Sequence, residues 1–242
     1  MKERNEMKIF GLDISLDHGG IVVLNGDGKV INYCFLTATK KYIDVDPKHG
    51  FLLSKKGEDE SKETFRLRRM KEYLEKLVDF ERIMPSVEAM FFSIEGYSYS
   101  SKTTSICQIA ELTGYLKHII FEDGGCIRIH DPLSVKLFAV GKGSCMKKDI
   151  VNEALSQGFN IPGGLVKKKQ VKKKESVKVE EFDGPATDLA DAYFLANMIY
   201  IELKLRSGEL MLRQLKENER RIFLRVTKKY PVNILDRSFV QK

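Results

Sequence analysis

The 242-residue chain contains no tryptophan, only six prolines and four cysteines, and it has no long uninterrupted apolar run. A membrane-spanning helix needs roughly 18 consecutive apolar residues, and no stretch approaches that length. The opening MKERNEMK lacks the apolar segment of a secretory signal, so a soluble protein that stays in the cytoplasm is expected. Cys34, Cys107, Cys126 and Cys145 are widely spaced, with no CxxC pair and no histidine at zinc-ligand spacing. Reduced thiols, each a small buried apolar residue, fit better than a disulfide framework or a structural zinc site. The four histidines, His18, His49, His118 and His130, show no partner pattern, so a Ser/His/Asp arrangement is not evident. His130, at a strand end, is expected to be structural.

What is present points to one large domain or one domain with extensions, since 43% hydrophobic residues suffice for a sizeable core. The net charge of +7 is uneven: Lys167, Lys168, Lys169, Lys172, Lys173, Lys174 and Lys178 crowd one short segment. Such a run commonly forms a solvated loop. A polyanion partner becomes the better reading when an acidic metal site accompanies it.

The N-terminal third alternates apolar runs with turn signals: Lys8 to Ser15, Gly20 to Leu24, the turn Asn25-Gly26-Asp27-Gly28, then Lys29 to Thr37. This predicts a three-strand antiparallel meander. Residues 40–60 are polar, contain glycine and read as a loop. From Ser61, apolar residues at helical spacing predict a helix ending before Pro85. Strands are expected over Val87 to Glu95 and Cys126 to His130, with a helix between them from about Ser101 to Phe121. Short helices follow near Ser134 to Val140 and Lys147 to Ser156. Beyond a lysine-rich loop at about 165–182, an apolar helix starts near Pro185. The sum is an α/β fold with a mixed five-stranded sheet flanked by helices. The ribonuclease H-like fold has this order. Residues 1–205 would form the domain and 206–242 a charged, helical C-terminal extension.

Four acids stand at the ends of these segments: Asp13 in KIFGLDIS, Glu95 in MFFSIEGY, and Asp188 and Asp191 in DGPATDLADAYF. Asp13 interrupts the apolar run Ile9, Phe10, Leu12, Ile14, so an exposed face does not explain it. Gly11 beside it allows close approach of another backbone. Asp188 and Asp191, three apart, share a helix face. Acids brought together from apolar elements are costly unless a divalent cation neutralises them. Magnesium, a hard ion that prefers oxygen ligands, is the natural candidate. Two such ions would suit phosphodiester hydrolysis.

Three blocks of the sequence resemble the RuvC-like Holliday junction resolvases. They are FFSIEGYSYSSKTTSICQIAELTGYLKHII, HDPLSVKLFAVGKGSCMKKDIVNEAL and DLADAYFLANMI. With GLDIS at the start, the likeness spans about Lys8 to Ile201 in the family's motif order. The resemblance implies an endonuclease that nicks four-way DNA junctions as a homodimer, using two magnesium ions or manganese in their place. It implies that Asp13, Glu95, Asp188 and Asp191 bind metal, and that Lys136 and Lys147 lie near the scissile phosphate. Lys147 would stabilise transition-state charge. Lys102 and Lys148 are further candidate DNA contacts, and Lys167, Lys168, Lys169, Lys172, Lys173 and Lys174, in a loop longer than a minimal family member carries, would add phosphate contacts that give affinity with little sequence information.

Two departures stand out. Ile14-Ser15-Leu16-Asp17 replaces the Pro-Gly that usually follows the family's first aspartate. Ser98 occupies the position of a base-stacking phenylalanine, flanked by Tyr97 and Tyr99, either of which could stack on an unpaired base or pack against its own loop. Two alternatives remain: a ribonuclease H-like nuclease for flaps, forks or RNA–DNA hybrids, and a junction-binding protein without catalysis. A bacterial or bacteriophage origin is compatible with a small resolvase carrying extensions.

Overall fold

The computed structural model describes residues 7–82, 89–97, 103–166, 169–172, 178–182, 184–228 and 230–242, with backbone alone for 77–82, 103–105, 169–172 and 178–181. The first strands are β1 (Met7–Ile14), β2 (His18–Asn25) and β3 (Val30–Thr37). They pair antiparallel, Asp13 opposite Gly20 and Ile21 opposite Cys34. The turn between β2 and β3 closes on Asn25, whose side chain accepts from the Asp27 and Lys29 amides, while Gly28 supplies the positive φ of 79°.

Two further strands, β5 (Ala89–Glu95) and β6 (Cys126–His130), lie parallel to β1 and to each other. The expected loop at 40–60 instead holds a one-turn helix α1 (Lys40–Ile43) and a short strand β4 (Gly50–Leu52) that pairs parallel with β3. The sheet therefore has six strands in the order β4-β3-β2-β1-β5-β6, one more than the sequence suggested. Three residues at an edge are too few for a period-two pattern to register. The meander followed by two parallel strands beyond β1 is the ribonuclease H-like arrangement, with β4 appended to its outer edge.

Helices cover both faces. Alternate residues Phe10, Leu12, Phe92 and Ile94 pack with Leu112, Leu116 and Ile120 of α3 (Thr103–Glu122) and Met70 and Tyr73 of α2 (Lys62–Arg82). The opposite residues, Ile9, Val22 and Leu24, meet α6 (Gly184–Arg206), with α4 (Pro132–Val140) and α5 (Lys147–Ser156) outside it. A helix apolar on all sides belongs in an interior, and α6 runs through the larger core.

The 206–242 stretch packs onto the same domain through α7 (Glu217–Leu224) and a 3-10 turn at Ile234–Asp236, burying Ile222, Phe223 and Ile234 in that core. Its end bridges β6, with Val240 opposite Ile127. Arg128 joins the two parts, pairing with buried Glu202 of α6 at 3.0 Å and donating to the Ser238 and Arg237 carbonyls at 2.9 and 3.0 Å. Part of the lysine-rich segment is a two-stranded hairpin, β7 (Lys169–Lys172) with β8 (Lys178–Glu181). Among the described residues, no helix is long and apolar enough to cross a membrane.

Candidate active site

Parity along the strands decides which side chains meet. Asp13 shares the face of Ile9 and Gly11, and Glu95 lies one residue beyond the Leu12–Ile94 pair on the neighbouring parallel strand. Both therefore emerge at adjacent strand ends on the face covered by α6. Two glycines let that helix come close. A Cβ on Gly11 would stand 1.8 Å from the Ala192 carbonyl oxygen, and one on Gly20 would stand 2.4 Å from that of Asp188. With no side chains between them, the first turns of α6 lie directly against β1 and β2, which brings Asp188 and Asp191 beside Asp13. The close approach expected at Gly11 is thus made by the helix that carries the other two acids.

The electrostatics report the crowding. Burial, then the charges of Glu95, Asp188 and Asp191, push the Asp13 carboxyl well above the usual carboxylate range, against a lowering effect from Lys147. Burial and Asp191 raise Glu95 to about 7, although Lys136 and Lys147 pull it down and Asp131 adds a smaller push upward. Asp191 is likewise raised to about 7 by burial and Asp188, opposed by Lys147 and Lys136. Each of these acids feels others of the four, and all three feel Lys147. The six residues thus form one electrostatic unit.

The lysines are set by a short helical hairpin. Asp131 caps α4, accepting from the Ser134 amide at 3.0 Å and the Ser134 hydroxyl at 2.6 Å. Gly141 ends the helix with φ 75°, its N–H donating to Leu137. Gly143 packs on the Leu133 side chain, which a Cβ would displace. The Gly-x-Gly element therefore turns the chain so that α5 opens with Lys147. Cations at a helix N-terminus oppose the helix dipole, so helix stability does not account for Lys147 and half-buried Lys148 in that turn. Facing a carboxylate cluster does account for Lys147.

Sequence reasoning missed His18. Its Nδ1 lies 2.7 Å from Asp188 Oδ2, without the alignment of a hydrogen bond, and contact with Asp188 raises its pKa despite partial burial. The readable signal was hairpin parity, which places His18 on the face of Gly20 and Val22. Tyr73 of α2 braces the same turn, its buried hydroxyl directed at the Ser15 and His18 carbonyls.

Tyr97 packs against α3, its hydroxyl 2.7 Å from Thr113 Oγ1 and 3.1 Å from Lys117 Nζ. Tyr99, Lys102, Lys167, Lys168, Lys173 and Lys174 lie outside the described residues, and Lys169 and Lys172 are placed by backbone only, in β7. His130 is buried, and its pKa is lowered to about 3 by burial and by Arg128 and Arg237. Cys34 sits in the core as expected, whereas Cys107 is exposed.

The donor set suits a hard divalent cation: four carboxylates and no thiolate, with Asp188 buried and its Oδ2 facing His18 Nδ1 at 2.7 Å. Among the described residues no three acidic, histidine or cysteine groups are drawn together tightly enough to enclose an ion as they stand. Like charges at close quarters repel, so the acids are gathered without closing on one point.

No protein-family model matches the chain, and no curated protein matches it. Among solved structures, Thermus thermophilus RuvC aligns with a TM-score of 0.46 and 20% identity, covering 84% of this chain and 97% of that one. T. thermophilus RuvC in complex with a Holliday junction substrate aligns with a TM-score of 0.46 and 18% identity, covering 84% and 96%.

Proposed function

We propose that this chain is a divalent-metal-dependent endonuclease that resolves four-way DNA junctions by paired, symmetric nicks. The observation that carries the reading is the gathered cluster itself: acids from β1, β5 and α6 brought together on one face, raised by burial and then by one another, and opposed by Lys147 and Lys136. Asp13, Glu95, Asp188 and Asp191 would hold two magnesium ions, or manganese in their place, which when bound activate water and neutralise charge at phosphorus.

The chain's own groups supply the rest. Lys147 offsets charge on the phosphoryl oxygens, and Lys136 and Lys148 with the lysines of the 165–182 segment hold the backbone of the DNA. His18 steadies the buried Asp188 carboxylate. A homodimer provides two symmetry-related sites for the two nicks, and branch shape and deformability give specificity.

The test is a matched set of four-way junction, flap, fork, RNA–DNA hybrid and plain duplex, cut in magnesium with nick positions mapped. Paired nicks placed symmetrically across the junction are expected. Preferential cutting of the hybrid or the flap would assign the site to another nuclease of this fold.

A further inference from the structure

The row of side chains that starts at Asp13 and Glu95 continues onto the third strand. His130 lies opposite Glu95 in the β5–β6 pairing, on the same face, about 5 Å further along the sheet edge and about 10 Å from Asp13. Here the C-terminal stretch walls a partly open cavity of about 20 Å³, lined by His130, Ser134, Arg225, Thr227, Tyr230 and Arg237 among others. Its enclosed part has room for roughly one or two waters.

Two buried nitrogens in that lining have no hydrogen-bond partner among the described residues, His130 Nε2 and Arg237 Nε. Buried polar groups are normally satisfied. Arg225 reaches the Ser134 hydroxyl at 3.1 Å, and the Arg237 guanidinium sits 4.2 Å over Tyr230. The acid at the rim, Asp131, is already engaged by the Ser134 amide and hydroxyl and by Arg225 at 3.6 Å. Arg237 is also hydrogen-bonded to Tyr230, so what the cavity still offers is the Arg237 Nε–H and the His130 ring edge, which suits an oxyanion.

The surrounding segment has the matching field. Residues 206–242 carry ten basic against four acidic side chains, so this stretch holds +6 of the chain's net +7. Arg220, Arg221 and Lys228 are exposed around the cavity's own elements.

We propose that this cavity receives a non-bridging oxygen of a backbone phosphate on the strand being cut, within a few nucleotides of the scissile one. Phosphates of one strand advance roughly 3.4 Å per nucleotide along the helix axis, which makes the span from the acid cluster to His130 one that a single strand can bridge. The C-terminal stretch then sets the register of the strand in the site. This placement rests on the function proposed above, whereas the anion pocket does not.

The experiment has two arms on the full chain. In the first, inorganic phosphate is titrated into metal-free protein while the His130 ring nitrogens are followed by NMR, with chloride at equal ionic strength as the control. A saturable shift of His130 that disappears in Arg237→Gln and in Arg225→Gln is expected, and folding of each variant is checked by its melting curve. No shift of His130 in the wild type overturns the pocket. In the second arm, single methylphosphonates are scanned along the cut strand. One position should slow cleavage roughly tenfold, the scale of removing one charge-assisted hydrogen bond, and should have no further effect in Arg237→Gln. A flat scan beside a positive phosphate titration would mean the pocket takes free phosphate, and would overturn the DNA placement. Phosphate binding by a protein that cuts no DNA would overturn that placement together with the proposed function, leaving the anion pocket in place.

Discussion

Gly20 gives a direct handle on how the site is assembled. A Cβ there would stand 2.4 Å from the Asp188 carbonyl oxygen and 2.8 Å from the Leu189 amide nitrogen, where ordinary contacts begin at 3.4 Å. Both atoms are backbone in the first turns of a buried helix, so no side chain can swing aside. Gly20→Ala therefore requires α6 to withdraw from β2 by about 1 Å at Asp188, one of the four gathered acids. Overpacking of this kind costs roughly 1–3 kcal/mol, a fall in Tm of roughly 3–10 °C for a chain of this size. A displacement near 1 Å at a catalytic group costs about 100-fold in rate. The assay is single-turnover junction cleavage with saturating enzyme, beside a melting curve. Gly114→Ala is the control, because nothing lies within 4 Å of its Cβ and alanine within α3 should raise stability by roughly 0.5–1 kcal/mol. Wild-type cleavage and wild-type Tm in Gly20→Ala would refute the idea that glycine contact with α6 positions the acids.

Four further outcomes are expected. The metal-free protein should lose stability as pH rises from about 4.5 to 7, because Glu95, with its pKa raised to about 7, keeps a proton in the folded state that the unfolded chain releases. The effect is up to roughly 3 kcal/mol for that group; urea denaturation across this range should show Glu95→Gln with a flatter profile, and magnesium should flatten the wild type. Lys147→Gln should slow cleavage by roughly 10²–10³ with junction affinity nearly unchanged, and should move the acid limb of the pH–rate profile upward, since this lysine lowers Asp13, Glu95 and Asp191. Tyr73→Phe removes the hydroxyl that braces the Ser15 and His18 carbonyls and should cost roughly 1 kcal/mol in denaturant titration. Replacing Lys167, Lys168, Lys169, Lys172, Lys173 and Lys174 by alanine should flatten the salt dependence of junction binding by about 0.9 in log–log slope for each phosphate no longer neutralised; an unchanged slope would show the segment to be merely solvated.

The elements legible in the sequence were those whose pattern is long and whose physics is local. Strand β1 announced itself through an acid inside an apolar run, and α6 through apolar residues on all sides, while Gly11 marked where the two would touch. The short helices α4 and α5 were expected close to where they lie. Strand β4 was hidden because three edge residues carry no period. The approach of His18 to Asp188 depends on a hairpin meeting a helix some 170 residues later in the chain, which no local pattern encodes. The 206–242 stretch looked like a charged appendage because its few apolar residues are scattered. Ile222, Phe223 and Ile234 nevertheless reach the core, and Arg128 and Arg206 tie its backbone carbonyls to buried Glu202. Such bonds to main-chain oxygens leave no trace in residue type.

Whether the four gathered acids serve metal-dependent strand cleavage is decided at Asp13. Nicking and binding of a four-way junction should be measured in parallel for wild type and Asp13→Asn, in magnesium and in manganese. We expect the wild type to nick, and Asp13→Asn to bind within about twofold of wild type, a difference of roughly 0.4 kcal/mol, while its nicking is abolished. A wild type that binds the junction but never cuts it with either metal, or an Asp13→Asn variant that cuts normally, would contradict the proposed role of these acids.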